Sequence, residues 1–134
     1  LKSVWLCSKY VVPIMIRQES GNIVNLSSIA GKECVETIST YAATKSGIKC
    51  LSRSMALELA SFGIRVNALS PAMIDTPMVA FMTDELREFL LSKIPVGRFG
   101  RTEDVAEAIL FLVSEKASFI LGQCFNIAGG RGDY

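Results

Sequence analysis

The chain has 134 residues, 50% of them hydrophobic, with 14 basic and 13 acidic residues and a formal net charge of +1. Such a near-neutral balance, with both signs interspersed, gives no electrostatic footprint for DNA, RNA or an anionic membrane surface. Histidine is absent, which excludes hydrolases that use a histidine base and most catalytic zinc sites, and we predict no metal site.

The cysteines and the start of the chain bear on location. The four cysteines form no Cys-x-x-Cys motif, which is typical of reduced thiols in an intracellular protein. No signal peptide is visible, and the longest apolar stretch, 11–16, is far too short to span a membrane. We therefore expect a cytoplasmic protein without membrane or nucleic-acid partners. The first residue is Leu1 and not methionine, so we expect the chain to begin inside a longer polypeptide.

Helices are predicted where apolar residues recur at helical spacing. The predicted helices, in chain order, are 2–18, 41–61, 83–93 and 102–114. Gly63 is placed to end the second helix. Thr83 and Thr102 are expected to cap the last two helices, each of which carries acidic residues in its first turn.

Three short runs of β-branched or apolar residues predict strands, and the first of them should be buried. These runs are 23–26, 64–69 and 124–128. The segment 70–77 holds two prolines and is predicted to be irregular.

The order of elements predicts the fold class. Strands that are separated by crossover helices form right-handed parallel βαβ units, so we predict an α/β fold with helices on both faces of the sheet. Three strands are fewer than usual. We therefore expect part of a doubly wound, Rossmann-type parallel sheet whose N-terminal strands lie outside this chain.

A tyrosine and a lysine, Tyr41 and Lys45, stand four residues apart at the start of the second predicted helix. About one turn separates them, so they share a helix face and the ammonium comes near the phenol. A phenol gives up its proton only far above neutral pH, but a nearby cation favours the phenolate. Ser28, at the end of the first strand, can hold a carbonyl or alcohol oxygen against the same phenol. The three residues predict a proton-transfer site for carbonyl or alcohol chemistry.

Taken alone, this pair is weak evidence. A chain of this composition contains Tyr-x-x-x-Lys by chance about one time in six, and a solvated helix face is then the simpler explanation. Its neighbours strengthen the case, because ligands of open parallel sheets bind beyond the carboxyl ends of the strands. Ser28 follows the first strand and 71–76 follows the second, so both are expected to open onto one crevice near Tyr41.

With these motifs in place, nearly the whole chain resembles the short-chain dehydrogenase/reductase family. The segment 21–31 is similar to the family's strand with the active-site serine, and the usual spacing selects Ser28 over Ser27. Tyr41-Ala-Ala-Thr-Lys45 is similar to its Tyr-x-x-x-Lys motif. Other segments that resemble the family are 65–76, 95–104, 111–114 and 122–130.

The resemblance implies an oxidoreductase that transfers a hydride between NAD or NADP and a small carbonyl or alcohol substrate. Tyr41 would be the acid/base, Lys45 would favour the phenolate and hydrogen-bond the nicotinamide ribose, and Ser28 would position the substrate oxygen. The residues that would orient the nicotinamide carboxamide are Pro71, Ile74 and Thr76. The pocket for the substrate would be lined by 32–40 and 79–95, and the sequence does not identify that substrate.

Three features depart from the family pattern. The glycine-rich turn that holds the cofactor pyrophosphate is absent, together with the residues that choose between NAD and NADP. Ala72 stands where a glycine is usual, and Ala128 stands where an aspartate is usual. Residues 1–134 are therefore expected to be the C-terminal half of a single NAD(P)-binding domain, and to be inactive by themselves.

Other functions stay open. The chain could be a catalytically inactive, truncated dehydrogenase that acts only as an oligomer scaffold, or an aldehyde-handling lyase on the same fold. The helices 2–18 and 41–61 carry more apolar surface than one sheet face can cover. The resemblance implies that they pack against a second subunit, in a homodimer or a homotetramer.

Overall fold

A computed structural model describes residues 1–33 and 35–132. Cys34, Asp133 and Tyr134 lie outside the described residues. The helices are α1 (Lys2–Gln18), α2 (Ser39–Leu59), α3 (Asp84–Ser92) and α4 (Thr102–Val113). The strands are β1 (Gly21–Leu26), β2 (Ile64–Pro71) and β3 (Cys124–Ile127).

The three strands form one parallel sheet in the order β1-β2-β3. Gly21 pairs with Ile64 at one end of the β1–β2 ladder, and Leu26 pairs with Leu69 at the other. On the other side of β2, Ala68 pairs with Cys124 and Pro71 with Ile127. Each pairing spans at least one helix, which confirms the predicted α/β fold with crossover connections.

Helices cover both faces of the sheet, as predicted. On one face, α1 and α2 enclose a cluster that includes Met55, Leu59 and Val66, the last of these 0% exposed. On the opposite face, Leu112 of α4 packs with Leu69 of β2. Because alternate strand residues point to opposite faces, a single central strand supplies the core of both layers.

Three details differ from the sequence-based expectations. β1 was expected to be buried, but only Asn25 of this strand is, since β1 lies at the edge of the sheet. The prolines of 70–77 predicted irregular backbone, yet β2 continues to Pro71, because its partner is the short strand β3. Thr102 was expected to cap α4, but the carboxylate of Asp104 accepts the Arg101 backbone N–H instead, at 2.7 Å.

The connection between α2 and β2 shows why a glycine stands there. Gly63 has a φ of 70°, in the left-handed region that side chains other than glycine rarely adopt. A Cβ atom at this position would also overlap the carbonyl oxygen of Glu19. Gly63 therefore ends the helical segment, as predicted, and lets α2 return close to the end of α1.

Over the described parts of the chain, no helix is both long and apolar enough to cross a bilayer. Cys7, Cys50 and Cys124 are free thiols. In residues 1–33 and 35–132, His, Cys, Asp and Glu side chains form no group of three that could hold a metal ion.

Candidate active site

The carboxyl ends of the three parallel strands meet at one edge of the sheet. Ser27 and Ser28 follow β1, Ala72 and the segment 73–76 follow β2, and Ala128 follows β3. Hydrogen bonds tie the three ends together: the Ser27 N–H donates to the Leu69 carbonyl at 2.7 Å, and the Ala72 N–H donates to the Ile127 carbonyl at 3.0 Å. The segments that sequence reasoning placed around one crevice do emerge side by side.

Ser28 lies at the start of a short 3-10 turn, Ile29–Gly31, and its side chain is partly exposed. Its Oγ accepts the backbone N–H of Ala30 at 3.2 Å. The hydroxyl proton takes no part in that bond, so the hydroxyl can donate it to a substrate oxygen. The hydroxyl is thus oriented by its own turn and keeps its donor function.

Tyr41 and Lys45 share a face in the first turns of α2, as their spacing predicts. The Lys45 Nζ lies 5.6 Å from the centroid of the Tyr41 ring, within range of a cation–π contact. The same ammonium donates a hydrogen bond to the carbonyl of Leu26, at the end of β1, at 2.9 Å. Tyr41 is 47% exposed, so its ring lies at the surface of this chain with the lysine ammonium beside it.

The segment expected to grip the nicotinamide carboxamide is held in an extended shape. Ile74 forms an isolated parallel bridge with Gly100. The bridge consists of the Gly100 N–H donating to Met73 at 2.9 Å and the Asp75 N–H donating to Gly100 at 2.8 Å, so it does not use the Ile74 N–H. Thr76 follows in extended backbone and accepts the Val79 N–H. Pro71 is the last residue of β2.

The structure therefore gathers the predicted residues at one edge without joining them all. Lys45 contacts both Tyr41 and the end of β1. Within the described residues, no hydrogen bond links the hydroxyls of Ser28 and Tyr41 directly. Their catalytic and cofactor-binding roles stay predictions.

Two residues of the segment 65–71, Arg65 and Asn67, bind other parts of the fold. The Arg65 guanidinium donates to three carbonyls at the C-terminal end of α4 and in the turn after it, those of Leu112, Ser114 and Ala117, at 2.6, 3.0 and 2.9 Å. The Asn67 side chain donates to Ile120 and accepts from the backbone N–H of Gln123. Through these bonds, Arg65 and Asn67 attach β2 to residues 112–123.

The two alanines that depart from the family pattern line one small cavity. Ala72 and Ala128 contribute to a cavity of about 130 Å³, and Asp104 lies at its wall. The carboxylate of Asp104 pairs with Arg98 at 2.7 Å. The Ala72 N–H donates to the Ile127 carbonyl, so the backbone hydrogen bonding between β2 and β3 continues past Pro71 and holds the loop at Ala72.

A larger cleft of about 790 Å³ lies beside the turn that holds Ser28. Its lining comes from the segment after the turn, from the end of α3 and from the C-terminal segment: Glu33, Val35, Glu36, Thr37, Phe89, Leu90, Lys93, Arg131 and Gly132. The lining residues that precede position 38 and those of α3 belong to the segments 32–40 and 79–95, which were predicted to line a substrate pocket. Arg131 and Gly132 lie outside both segments. The Arg131 guanidinium pairs with Glu33 at 2.9 Å and so closes one side of the cleft.

Sequence reasoning missed the contacts between the end of β1 and α2. The Ser27 hydroxyl donates to the Lys45 carbonyl at 2.8 Å, and the Ser46 hydroxyl donates to the Gly31 carbonyl at 2.6 Å. The only available signal was that Ser27 and Gly31 lie inside the motif around Ser28. Nothing in a single sequence pairs them with residues of α2.

Comparison with known proteins gives the family. A sequence model for the family described as enoyl-(acyl carrier protein) reductase matches residues 1–131. The chain is 45% identical over 130 residues to the 3-oxoacyl-[acyl-carrier-protein] reductase FabG of Thermotoga maritima, covering 97% of this chain and 53% of the relative.

Solved structures agree. The chain is similar to a 3-oxoacyl-[acyl-carrier protein] reductase with bound NAD from Brucella melitensis, with a TM-score of 0.92 and 35% identity, over 100% of this chain and 49% of that one. It is also similar to a gluconate 5-dehydrogenase from Burkholderia cenocepacia in complex with NADP and tartrate, with a TM-score of 0.93 and 30% identity, over 97% of this chain and 52% of that one.

These matches show that the chain belongs to the short-chain dehydrogenase/reductase family. The chain spans about half the length of the curated relatives it matches. Its expected site residues therefore lie in a segment that corresponds to only part of a complete relative.

Proposed function

We propose that this chain is the C-terminal half of a single NAD(P)-binding domain, and that the full-length protein is an oxidoreductase acting on a small carbonyl or alcohol substrate. By the full-length protein we mean the polypeptide that carries this chain together with the N-terminal half of the domain. The observation that carries the proposal is the placement of the Lys45 ammonium, 5.6 Å from the Tyr41 ring and 2.9 Å from the Leu26 carbonyl beside Ser28.

The residues present fit the nicotinamide end of a dinucleotide. An ammonium has three N–H donors, and one of those of Lys45 is used on Leu26, which leaves donors for ribose hydroxyls. Ile74 keeps its N–H out of the bridge to Gly100, so it can serve the carboxamide together with Pro71 and Thr76. The residues for the pyrophosphate would have to come from the other half of the domain.

When bound, the nicotinamide supplies or accepts the hydride. The side chains of this chain transfer the proton to and from the substrate oxygen. In reduction the Tyr41 hydroxyl donates its proton to the substrate oxygen and becomes a phenolate, and in oxidation the phenolate accepts the proton of the substrate alcohol. The Lys45 ammonium stabilises this phenolate. The Ser28 hydroxyl donates a hydrogen bond to the same oxygen and holds it against the phenol.

Replacing Tyr41 by phenylalanine tests this function. Tyr41→Phe keeps the ring and removes the proton donor, so kcat of the full-length protein should fall by at least about 10²-fold, the lower end of the range for general acid–base groups. Tyr10→Phe is the matched control, because Tyr10 is 71% exposed on α1, away from the strand ends. Near-normal turnover of Tyr41→Phe would exclude Tyr41 as the acid/base.

The scaffold alternative rests on the span of the chain, about half that of its relatives. It predicts a protein that assembles but shows no turnover with any carbonyl or alcohol substrate. The intact mass of the protein isolated from its source separates the two functions first: about 14.6 kDa supports the scaffold, and about twice that mass supports the oxidoreductase. Turnover of the longer protein is then assayed with NADH and NADPH across a panel of ketones and aldehydes. Turnover that Tyr41→Phe abolishes supports the oxidoreductase.

We further propose that the full-length protein is a homodimer or homotetramer joined through α1 and α2. A groove of about 380 Å³ runs between these helices, with Trp5, Val12 and Leu51 among its apolar lining residues. It also carries opposite charges, Lys9 and Glu58. About a two-fold axis, Lys9 of one copy can face Glu58 of the other and the reverse, so a second copy of the chain suits the groove.

Charge reversal tests this interface. Lys9→Glu should raise the dimer dissociation constant at least about tenfold, because it places like charges opposite each other. The double variant Lys9→Glu/Glu58→Lys should restore association, since it exchanges the two signs. Light scattering at several concentrations measures both. A monomeric unmodified protein at micromolar concentration, or a double variant that stays as weak as the single one, would contradict the arrangement.

A further inference from the structure

The end of β1 is joined to the first half of α2 by contacts that the proposed chemistry does not use. Ser27 is 4% exposed, and its hydroxyl donates to the Lys45 carbonyl at 2.8 Å. That carbonyl lies in the interior of an unbroken helix, and its second lone pair can accept Ser27 without loss of the helical hydrogen bond. Ser27 therefore binds the helix at the residue that carries the ammonium.

A second contact lies on the other side of Ser28. The Ser46 hydroxyl donates to the Gly31 carbonyl at 2.6 Å. A Cβ atom on Gly31 would lie 2.9 Å from the Ser46 nitrogen and 3.0 Å from the Lys45 carbonyl carbon. Backbone atoms cannot give way as a flexible side chain can, so any larger residue at position 31 would push the turn away from α2.

Ser28 lies between these two contacts. Its own hydroxyl is oriented within the turn by the Ala30 N–H. The turn is fastened at residue 27 to Lys45 and at residue 31 to Ser46, and Tyr41 lies about one helical turn before them. Ser27, Gly31 and Ser46 therefore fasten the turn that carries Ser28 to the part of α2 next to Tyr41 and Lys45.

Resting on the proposed function, we propose that Ser27, Gly31 and Ser46 are positioning residues that hold Ser28 at the working distance from Tyr41 and Lys45. Ser27 and Ser46 act through hydrogen bonds to backbone carbonyls, and Gly31 acts through its close approach to α2, so none of the three supplies a reacting group. Their effect is on the alignment of the reacting groups, where a displacement of about 1 Å can cost about 10²-fold in rate. Their loss should therefore lower kcat and leave substrate KM nearly unchanged.

The same two elements supply a matched control. The Asn25 side chain of β1 donates to the Ser52 hydroxyl of α2 at 2.9 Å, and both residues are buried. Ser52 lies about two helical turns beyond Lys45, away from Ser28. Ser52→Ala breaks a buried hydrogen bond that joins β1 to α2, whereas Ser27→Ala breaks one beside the site, between the residue after β1 and α2.

The test measures kcat and KM for the full-length protein and its variants at a temperature where all are folded. We expect Ser27→Ala and Ser46→Ala each to lower kcat about tenfold or more with KM changed less than about threefold. Ser46→Thr keeps the hydroxyl at an exposed position and should retain kcat. Ser52→Ala should lower the midpoint of thermal unfolding while leaving kcat unchanged.

Ser46→Ala carries the test without disturbing a buried position, since Ser46 is exposed. If both alanine variants keep kcat within twofold while Tyr41→Phe loses turnover, the positioning role is wrong and the proposed function stands. If Ser52→Ala loses as much kcat as Ser27→Ala, the effect is general loosening and the proposal is overturned. Full turnover in Tyr41→Phe would overturn the proposed function and the positioning role with it.

Discussion

Asp104 organises the loop before α4 because its carboxylate accepts two donors. Arg98 donates from its guanidinium at 2.7 Å, and the Arg101 backbone N–H donates at the same distance. The hydrogen bond from Arg98, followed by that from the Arg101 backbone, lowers the pKa of Asp104 to about 2. The charged form is thus favoured in the folded protein.

The lowered pKa predicts an acid-sensitive contribution to stability. An unfolded aspartate has a pKa of about 3.9, so the stabilisation is complete above that value and is lost as pH falls toward about 2. Urea titrations should show the advantage of the unmodified full-length protein over Asp104→Asn to be constant above pH 5 and to shrink between about pH 4 and 2.

Glu103→Gln serves as the control in the same helical turn, because it leaves the contacts of Asp104 in place. The stability advantage of Glu103→Gln over Asp104→Asn should still shrink as pH falls from about 4 to 2. An advantage over Asp104→Asn that does not change across that window would contradict the role of the carboxylate.

Single residues of the site were predictable where the information is local. The spacing of Tyr41 and Lys45 fixes a shared helix face, and the structure shows it. The choice of Ser28 over Ser27 came from the family spacing and stays a prediction, and the structure shows the Ser27 hydroxyl donating to the Lys45 carbonyl. The contact between Ser46 and Gly31 was not predictable, because it depends on how closely a turn approaches a helix distant in sequence.

At the scale of elements, Arg65 joins β2 to α4. The last carbonyls of a helix have no partners within it, and a cation placed there satisfies them and complements the helix dipole. Of the three carbonyls that Arg65 binds, only that of Leu112 belongs to α4; those of Ser114 and Ala117 lie in the turn that follows and also accept backbone N–H groups. The end of α4 and the turn that follows are thus fixed to the central strand.

Replacing Arg65 by methionine keeps the stem and removes these donors. We expect Arg65→Met to reduce the free energy of unfolding of the full-length protein by about 2–4 kcal/mol, since bonds to charged groups contribute about 1.5–3 kcal/mol each and are not additive. Arg17→Met, in the exposed last turn of α1, should cost less than about 1 kcal/mol. Equal losses in the two variants, by chemical denaturation, would argue against this anchoring role.

Elements themselves were predicted well, and their ends less so. The helix 2–18 is α1 residue for residue, although Pro13 lies inside it. α2 begins at Ser39, two residues earlier than the spacing of its apolar residues suggested. β1 begins at Gly21, because the backbone of Gly21 pairs with Ile64, and pairing of this kind leaves no trace in side-chain pattern. The end of β2 at Pro71 has the same cause.

At the scale of the whole molecule, residues 1–134 include the expected nicotinamide side of the crevice and no glycine-rich turn for a pyrophosphate. Calorimetry on these residues alone should therefore detect no binding of NAD or NADP at micromolar concentrations. The full-length protein should bind one of the two and serves as the control. Micromolar binding by residues 1–134 would contradict the division of the site between two halves.

The open side of β1 has a further consequence. A parallel edge strand with unpaired backbone groups is a template on which another strand can add. In this chain that edge invites aggregation, but it also defines a seam along which the domain can be divided and rejoined. If the full-length protein is the oxidoreductase proposed above, the N-terminal half, produced as a separate polypeptide, should dock on β1 and α1 and restore turnover by complementation. Turnover that appears only when the two halves are mixed would then measure their association.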